Sequence, residues 1–316
     1  MLLYKYVTPD RIDILEKKLI RFTQPLCFND PFEVFPAVES FLKPGREKEL
    51  ISLVSAIIKT NPDEFSKTWE EEIMKYQNMF HVDFTSLLPA DLGLAMVDQH
   101  IETLTNLIVN QLNIGAKTSI LCSLRQKMNA DMGILSLSEK SDNLLMWAHY
   151  TNAHRGFVLG FNTDHSFFDQ RLTQDDLIRY VSKVKYSYER PRISFFDPTA
   201  DPGEFFTSVF AKFCLTKSQD WAYEQEWRMI MPLKDASQIK EHSYGNIYLF
   251  VLPVDCIQMV ILGSMVDEKD KQRVYTMIAQ SEDYSHIIIK QAKIDPDHFR
   301  VNITSAIEQK GVKLGN

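Results

Sequence analysis

Cysteine is scarce and scattered in this sequence. Cys27, Cys122, Cys214 and Cys256 stand singly among 316 residues, which leaves neither a paired-cysteine metal knuckle nor a disulfide framework. Reduced, mostly buried thiols are expected instead. Glycine is also thin, 11 in all, and no G-x-G-x-x-G or P-loop occurs, which removes the usual signals of Rossmann dinucleotide binding and P-loop nucleotide hydrolysis. HExxH and GxSxG are missing too, so the zincin and serine-hydrolase readings have no support. Long apolar runs are absent. YLFVLPV is typical of what there is, against the ~20 residues a membrane span needs. The start, MLLYKYVTPDRIDILEKK, carries Lys5, Asp10 and Arg11 and has no stretch fit for a signal peptide. A cytoplasmic protein with no membrane partner is expected. Charge of either sign is in no great excess: 35 Lys+Arg against 42 Asp+Glu give a net charge of −7. A broad basic surface for nucleic acid is therefore not evident, although a local basic groove survives that argument.

What is present is ordinary globular material, 45% hydrophobic and 24% charged, enough for a large core. Leu2 to Val7 reads as a strand. Thr8-Pro9-Asp10 then supplies a cap, a proline at the first helical position and a first-turn acid. LIRF at Leu19 to Phe22 is a second strand. Between Glu47 and Asn113 the only glycine is Gly93, and apolar residues recur every three or four positions, as in ELISLVSAIIKT, which predicts helices. GILSLSE and RGFVLGF read as strands flanking a helix across DNLLMWAHYT. Further strands are expected at VSKVKYS, EWRMIMP, NIYLFVLP, QMVILG and HIIIK, and helices at EFFTSVFAKFCL and DEKDKQRVYTMIAQ. Strands at both ends around a helical insertion make the fold class α+β: a mixed, mainly antiparallel sheet flanked by helices. Residues 1–38 and 114–316 would form its core domain and 39–113 the helical insertion.

Three clusters carry chemistry. In SEKSDNLLMWAHYTNAHRGF, Ser141 is placed to cap a helix, and spacing puts Asn143, Trp147 and Tyr150 on one face with His149 on a neighbouring one. That face reads either as a pocket wall, with an aromatic platform and a titratable histidine, or as core anchors with satisfied N–H and O–H groups. His154 and Arg155 follow as loop charges. In DWAYEQEWRMIMP, a strand places Glu226 and Arg228 on one face, able to pair, with Glu224 as a competitor two residues earlier. A strand-borne carboxylate can stabilise a cationic transition state while Arg228 holds an anion; a structural ion pair is the alternative. Asn29, Asp30 and Glu33 in FNDPFE suit ordinary side-chain-to-backbone turns, and three oxygens there do not nominate a metal.

The ordered set LYKY, RFTQPLCFNDPFE, SLSEKSDNLLMWAHYTNAHRGFVLGF, VKY at Val184 to Tyr186, WAYEQEWR and VILG, spanning about Leu3 to Gly263, resembles the bacterial domain-of-unknown-function family 2971. Relatives in phage-defence or abortive-infection settings imply a toxin-like effector or a sensor. A second resemblance is to the ADP-ribosyltransferase-like fold, with LYKYVT, MWAHY and QEWR at the places of its early strand, middle aromatic and late glutamate. The early strand there often reads L-x-H-x-T; this sequence offers Tyr6 where the histidine would stand, and Tyr6 can still donate a hydrogen bond.

That resemblance implies NAD as substrate and an unknown macromolecular acceptor. Glu226 would stabilise the oxocarbenium-like centre, with Tyr150 and His149 as further catalytic candidates. Tyr6, Trp147, Arg155 and Arg228 would hold the cofactor, the aromatics by stacking and the guanidinium groups by pairing with pyrophosphate. Two alternatives stand beside it. One is a non-enzymatic sensor or module for a regulatory protein partner, and the other a nuclease built on Asp30, Glu33 and His149 or His154.

Overall fold

The computed structural model describes residues 1–34, 37–42, 121–196, 210–243 and 245–306. The chain divides into two compact units, one of residues 1–27, 131–188 and 217–316, the other of 28–130 and 189–216. In chain order the strands are β1 (Leu2–Val7), β2 (Leu19–Phe22), β3 (Ala37–Leu42), β4 (Met132–Ser138) and β5 (Phe157–Asn162). They continue with β6 (Val181–Lys183), β7 (Lys185–Ser187), β8 (Arg192–Phe196), β9 (Thr216–Ser218) and β10 (Glu226–Pro232). The last are β11 (Gln238–Lys240), β12 (Ile247–Val251), β13 (Ile257–Leu262), β14 (Ile288–Ile294) and β15 (Val301–Ser305). The labelled helices are α1 (Asp13–Lys17), α2 (Leu144–Tyr150) and α3 (Glu268–Gln280).

The first unit is built on an eight-stranded sheet ordered β15-β14-β13-β5-β1-β4-β10-β6. Its pairings are antiparallel except β13 with β14, which are parallel and are joined through α3. A parallel pair needs such a crossover, whereas antiparallel neighbours do not. This is the expected α+β sheet. A second sheet, β11-β12-β2, belongs to the same unit.

Alternation along the strands gives the large sheet two different faces. Leu3, Val7, Leu135, Leu137, Met229, Met231, Val260 and Leu262 belong to the main core on one side. Tyr6, Val158, Met259 and Ile261 pack on the other, under Met146 and Trp147 of α2. The second face is the one that carries Glu226 and Arg228, because β10 pairs Glu226 with Ser138 and Arg228 with Ser136 while Met229 faces the main core.

The cap of α2 is Asn143 rather than the expected Ser141. Its side-chain oxygen accepts from the N–H groups of Leu145 (2.9 Å) and Met146 (3.1 Å). Its amide donates to the carbonyl of Tyr223 at 2.8 Å, so one residue both caps the helix and ties it to the chain before β10. The Ser141 carbonyl instead accepts from Trp147 Nε1 at 2.9 Å. After α2 the chain reverses through three consecutive left-handed residues, Asn152, Ala153 and His154, with φ of 52°, 53° and 66°. Non-glycine residues adopt this region at a cost, and the tight reversal delivers Gly156 against β1.

Gly156 marks where α2, β1 and β5 meet. A Cβ there would lie 2.0 Å from the Val7 carbonyl oxygen, a backbone atom that cannot swing aside. Gly156→Ala is therefore expected to lower stability by roughly 2–3 kcal/mol, read as a fall in unfolding midpoint. An unchanged midpoint would show that β1 and β5 separate more readily than this packing implies.

The second unit contains the parallel pair of β3 and β8 and the helical residues 121–130. Of the helical insertion expected over 39–113, residues 39–42 are strand, within β3, and the rest lies outside the described residues. Asp30 makes the expected turn, accepting from Phe32 N–H at 2.8 Å. The cysteines are less uniform than expected, Cys214 and Cys256 being buried but Cys27 and Cys122 exposed. No described helix is long and apolar enough to cross a membrane.

Candidate active site

Four charged side chains form one buried network on the second face of the large sheet. Lys217, the middle residue of β9, donates from Nζ to Glu224 Oε2 at 2.6 Å and to Glu226 Oε2 at 3.0 Å. Arg228 grips Glu226 from the other side, Nε to Oε1 at 2.8 Å and Nη2 to Oε2 at 2.9 Å. The remaining oxygen of Glu224, Oε1, accepts from the Tyr150 hydroxyl at 2.6 Å. Arg228 and Lys217 are 0% and 6% exposed, Glu224 and Glu226 3% and 4%. Two cations thus face two anions in the absence of water, the condition under which such charges are tolerated.

Local backbone geometry brings the two carboxylates together. The 3-10 turn Gln219–Glu224 ends at Gln225, which is left-handed with φ 45°. This single residue swings the chain into β10, so Glu224 before it and Glu226 after it reach the same ammonium. Ser138 fixes the turn by donating to the Glu224 carbonyl at 2.6 Å. The N–H of Glu226 donates to the Tyr186 hydroxyl at 2.8 Å.

The electrostatics follow from burial and pairing. Burial raises the Glu226 carboxyl above its ordinary value, Lys217 opposes that rise, and Glu224 adds to it. For Lys217, burial disfavours the charge, but Glu226 and Glu224 overcome it and hold the ammonium firmly protonated. The Tyr186 phenol is pushed up to about 12, first by burial, with the Glu226 N–H working the other way and the Glu226 charge adding to the rise.

Around it lies a rim of half-buried aromatics: Tyr4, Tyr150, Tyr186, Trp221 and Tyr223. Lys217 Nζ sits 4.9 Å from the Trp221 ring centre, and Trp221 and Tyr223 are 6.0 Å apart. Flat apolar surfaces beside paired carboxylates suit a ligand with rings and a polar or cationic centre. A cavity of about 700 Å³ opens elsewhere on this unit, beside Arg179, Asp235 and Leu172, and shares no lining residue with the network.

The residues singled out from sequence distribute unevenly over this geometry. Glu226, Arg228 and Tyr150 are inside the network. Trp147 and Tyr6 adjoin it as packing: their rings meet edge to face at 5.5 Å, Trp147 is fully buried, and the Tyr6 hydroxyl donates to the Lys140 carbonyl at 2.8 Å. Trp147 thus offers no free face for stacking. His149 is exposed, 6.4 Å from the Tyr150 ring. Arg155 is exposed and donates to the carbonyls of Asn152 and Ala153 at 3.5 Å. His154 stacks on Trp147 at 6.3 Å, and burial lowers its affinity for a proton. Sequence reasoning missed Lys217 and gave Glu224 second place. Lys217 sits in Thr216-Lys217-Ser218, whose polar neighbours read as surface.

Residues 146–229 match a family described as Protein of unknown function (DUF2971). The matched stretch is similar to that family over about a quarter of the chain. The match covers the middle of the span over which the resemblance ran, and it contains every residue of the network, from Tyr150 through Lys217 and Glu224 to Glu226 and Arg228. The DUF2971 segment and the buried charges are thus one region. No curated protein and no solved structure matches the chain.

Proposed function

We propose that the chain is an ADP-ribosyltransferase-like enzyme that breaks the nicotinamide–ribose bond of NAD and passes ADP-ribose to a macromolecular acceptor, in a toxin or defence role. The observation that carries this reading is the pair Glu224 and Glu226 on one buried ammonium, with Glu224 reaching the aromatic rim through Tyr150. Loss of nicotinamide leaves positive charge on the ribose, and carboxylates already fixed in place stabilise that charge without reorganising. Glu224 is the better placed of the two to act. Both oxygens of Glu226 are held by the cations Arg228 and Lys217, whereas Glu224 meets one cation and the neutral Tyr150 hydroxyl, so the part of Glu226 is to position Lys217 and through it Glu224. Tyr223 and Trp221 supply surfaces on which a nicotinamide or adenine ring can stack.

A second reading has an observation of its own. The complete pairing of Glu226 is also what a purely structural network requires, and then the chain is a non-enzymatic module for a protein partner. Thermal unfolding against NAD, other nucleotides and divalent cations separates the two. NAD at ten times its dissociation constant adds about 1.4 kcal/mol, or about 3 °C at this chain length. A shift with NAD that simple nucleotides do not reproduce supports the enzyme; no shift with NAD at any concentration sinks it.

A further inference from the structure

The edge of β4 away from β10 is shared by two strands that diverge. At one end β1 pairs with it, Tyr4 opposite Ser138. At the other, Thr23 just after β2 bridges to Ile134, exchanging N–H to carbonyl bonds of 2.8 and 2.9 Å. Ser136 stands at the fork between them. Because the ladder period is two, Ser136 turns its N–H and carbonyl toward the same edge as Ile134, into the gap. The same antiparallel register, carried two residues back from Thr23, brings Arg21 level with Ser136.

The fork is lined by cations. Lys5 Nζ donates to the Ser136 carbonyl at 3.2 Å. Arg21 Nε is buried and has no hydrogen-bond partner among the described residues. The Ser136 hydroxyl lies against Glu226, whose negative charge it favours, so only the backbone N–H of Ser136 is left to the gap. Arg11 and Arg21 both act electrostatically on Lys5, and Glu226 is the anion that opposes them. Arg11 itself is paired with Asp13, Nε to Oδ1 at 3.2 Å. In a chain of net charge −7, a buried guanidinium N–H with no acceptor beside a desolvated ammonium is costly unless an anion completes it. Burial, with help from Arg11, pulls Lys5 down to about 8, the expected response of an ammonium short of negative charge.

We propose that this fork is an oxyanion site that takes a phosphoryl group, with Lys5, Arg21 and Ser136 as its donors. A tetrahedral oxyanion offers acceptors to the ammonium, the guanidinium edge and the backbone N–H at once. The site adjoins the carboxylate pair through Glu226 but does not depend on NAD being the substrate. It suits either free phosphate or the phosphate of a nucleotide.

The test is thermal unfolding of the full chain in millimolar sulfate at constant ionic strength. Sulfate is tetrahedral and does not titrate between pH 6 and 9. The wild type is expected to gain about 3 °C at ten times the dissociation constant, and Lys5→Met and Arg21→Met to lose that gain. Removing a desolvated cation leaves no anion stranded, so both variants are expected to fold without sulfate. The gain is also expected to shrink as pH rises from 7 to 9, when Lys5, facing Arg11, Arg21 and Glu226, gives up its proton. A gain of equal size in the wild type and both variants overturns the site. ADP-ribose in a parallel arm identifies the source: protection at lower concentration than sulfate assigns the phosphoryl group to a nucleotide, and protection only at the same concentration assigns free oxyanion. Both outcomes sustain the fork, and its failure leaves the NAD measurement untouched.

Discussion

Replacing Arg228 with methionine is expected to lower the unfolding midpoint by roughly 10 °C. Arg228 is fully buried and makes two hydrogen bonds to Glu226. Its removal leaves two carboxylates sharing the single ammonium of Lys217, in a place water does not reach. Breaking a buried pair in this way costs roughly 3–5 kcal/mol, and each kcal/mol is about 2–4 °C for chains of this class. The cost belongs to the stranded charge rather than to the lost contact. The double change Glu226→Leu with Arg228→Met is therefore expected to recover most of the stability, since Lys217 keeps Glu224 and no charge is left alone. Differential scanning calorimetry of the three proteins checks this. A double variant as unstable as the single one would mean that side-chain shape, not charge balance, governs the region.

Glu224→Gln is expected to do the opposite, lowering turnover far more than stability. Glutamine keeps the size and can still accept from Tyr150, and Lys217 retains Glu226 as its partner. What is lost is the negative charge facing the rim. Removing one preorganised electrostatic group typically costs about 10²–10³ in rate, whereas the midpoint should fall by less than in Arg228→Met. Glu226→Gln is expected to lower both, because Glu226 holds Arg228 as well as Lys217. The contrast between the two glutamates separates an acting carboxylate from a positioning one. Equal losses of stability with no difference in rate would assign both to the scaffold.

The parts of this arrangement that were legible in the sequence are those with a period. β1, β2, β4, β5, β10, β12, β13 and β14 announce themselves through alternating or continuous apolar runs, and α3 through its amphipathic spacing. The Glu226–Arg228 pair was legible for the same reason, since residues two apart on a strand share a face. Lys217 was not, because nothing local shows that a three-residue polar strand is buried; only β10 and the turn before it do that. The shared reach of Glu224 and Glu226 depends on the left-handed Gln225, a conformation that glutamine does not advertise. Asn143 displaced Ser141 as the cap because its amide also reaches Tyr223, a contact eighty residues away in sequence. The fork at Ser136 was equally invisible, since it arises from where two strands part rather than from any motif. In each case the missing information is tertiary.

The measurement that bears most directly on the carboxylate pair is nicotinamide release from NAD by the purified chain, with cell extract present to supply an acceptor. Wild type and Glu224→Gln are compared on preparations whose unfolding midpoints are known. Release by the wild type that falls by about 10²–10³ in Glu224→Gln, while the variant remains folded, is the predicted result. No release by the wild type, together with a lowered midpoint in the variant, would contradict the enzymatic account and leave the network as structure for a partner-binding module.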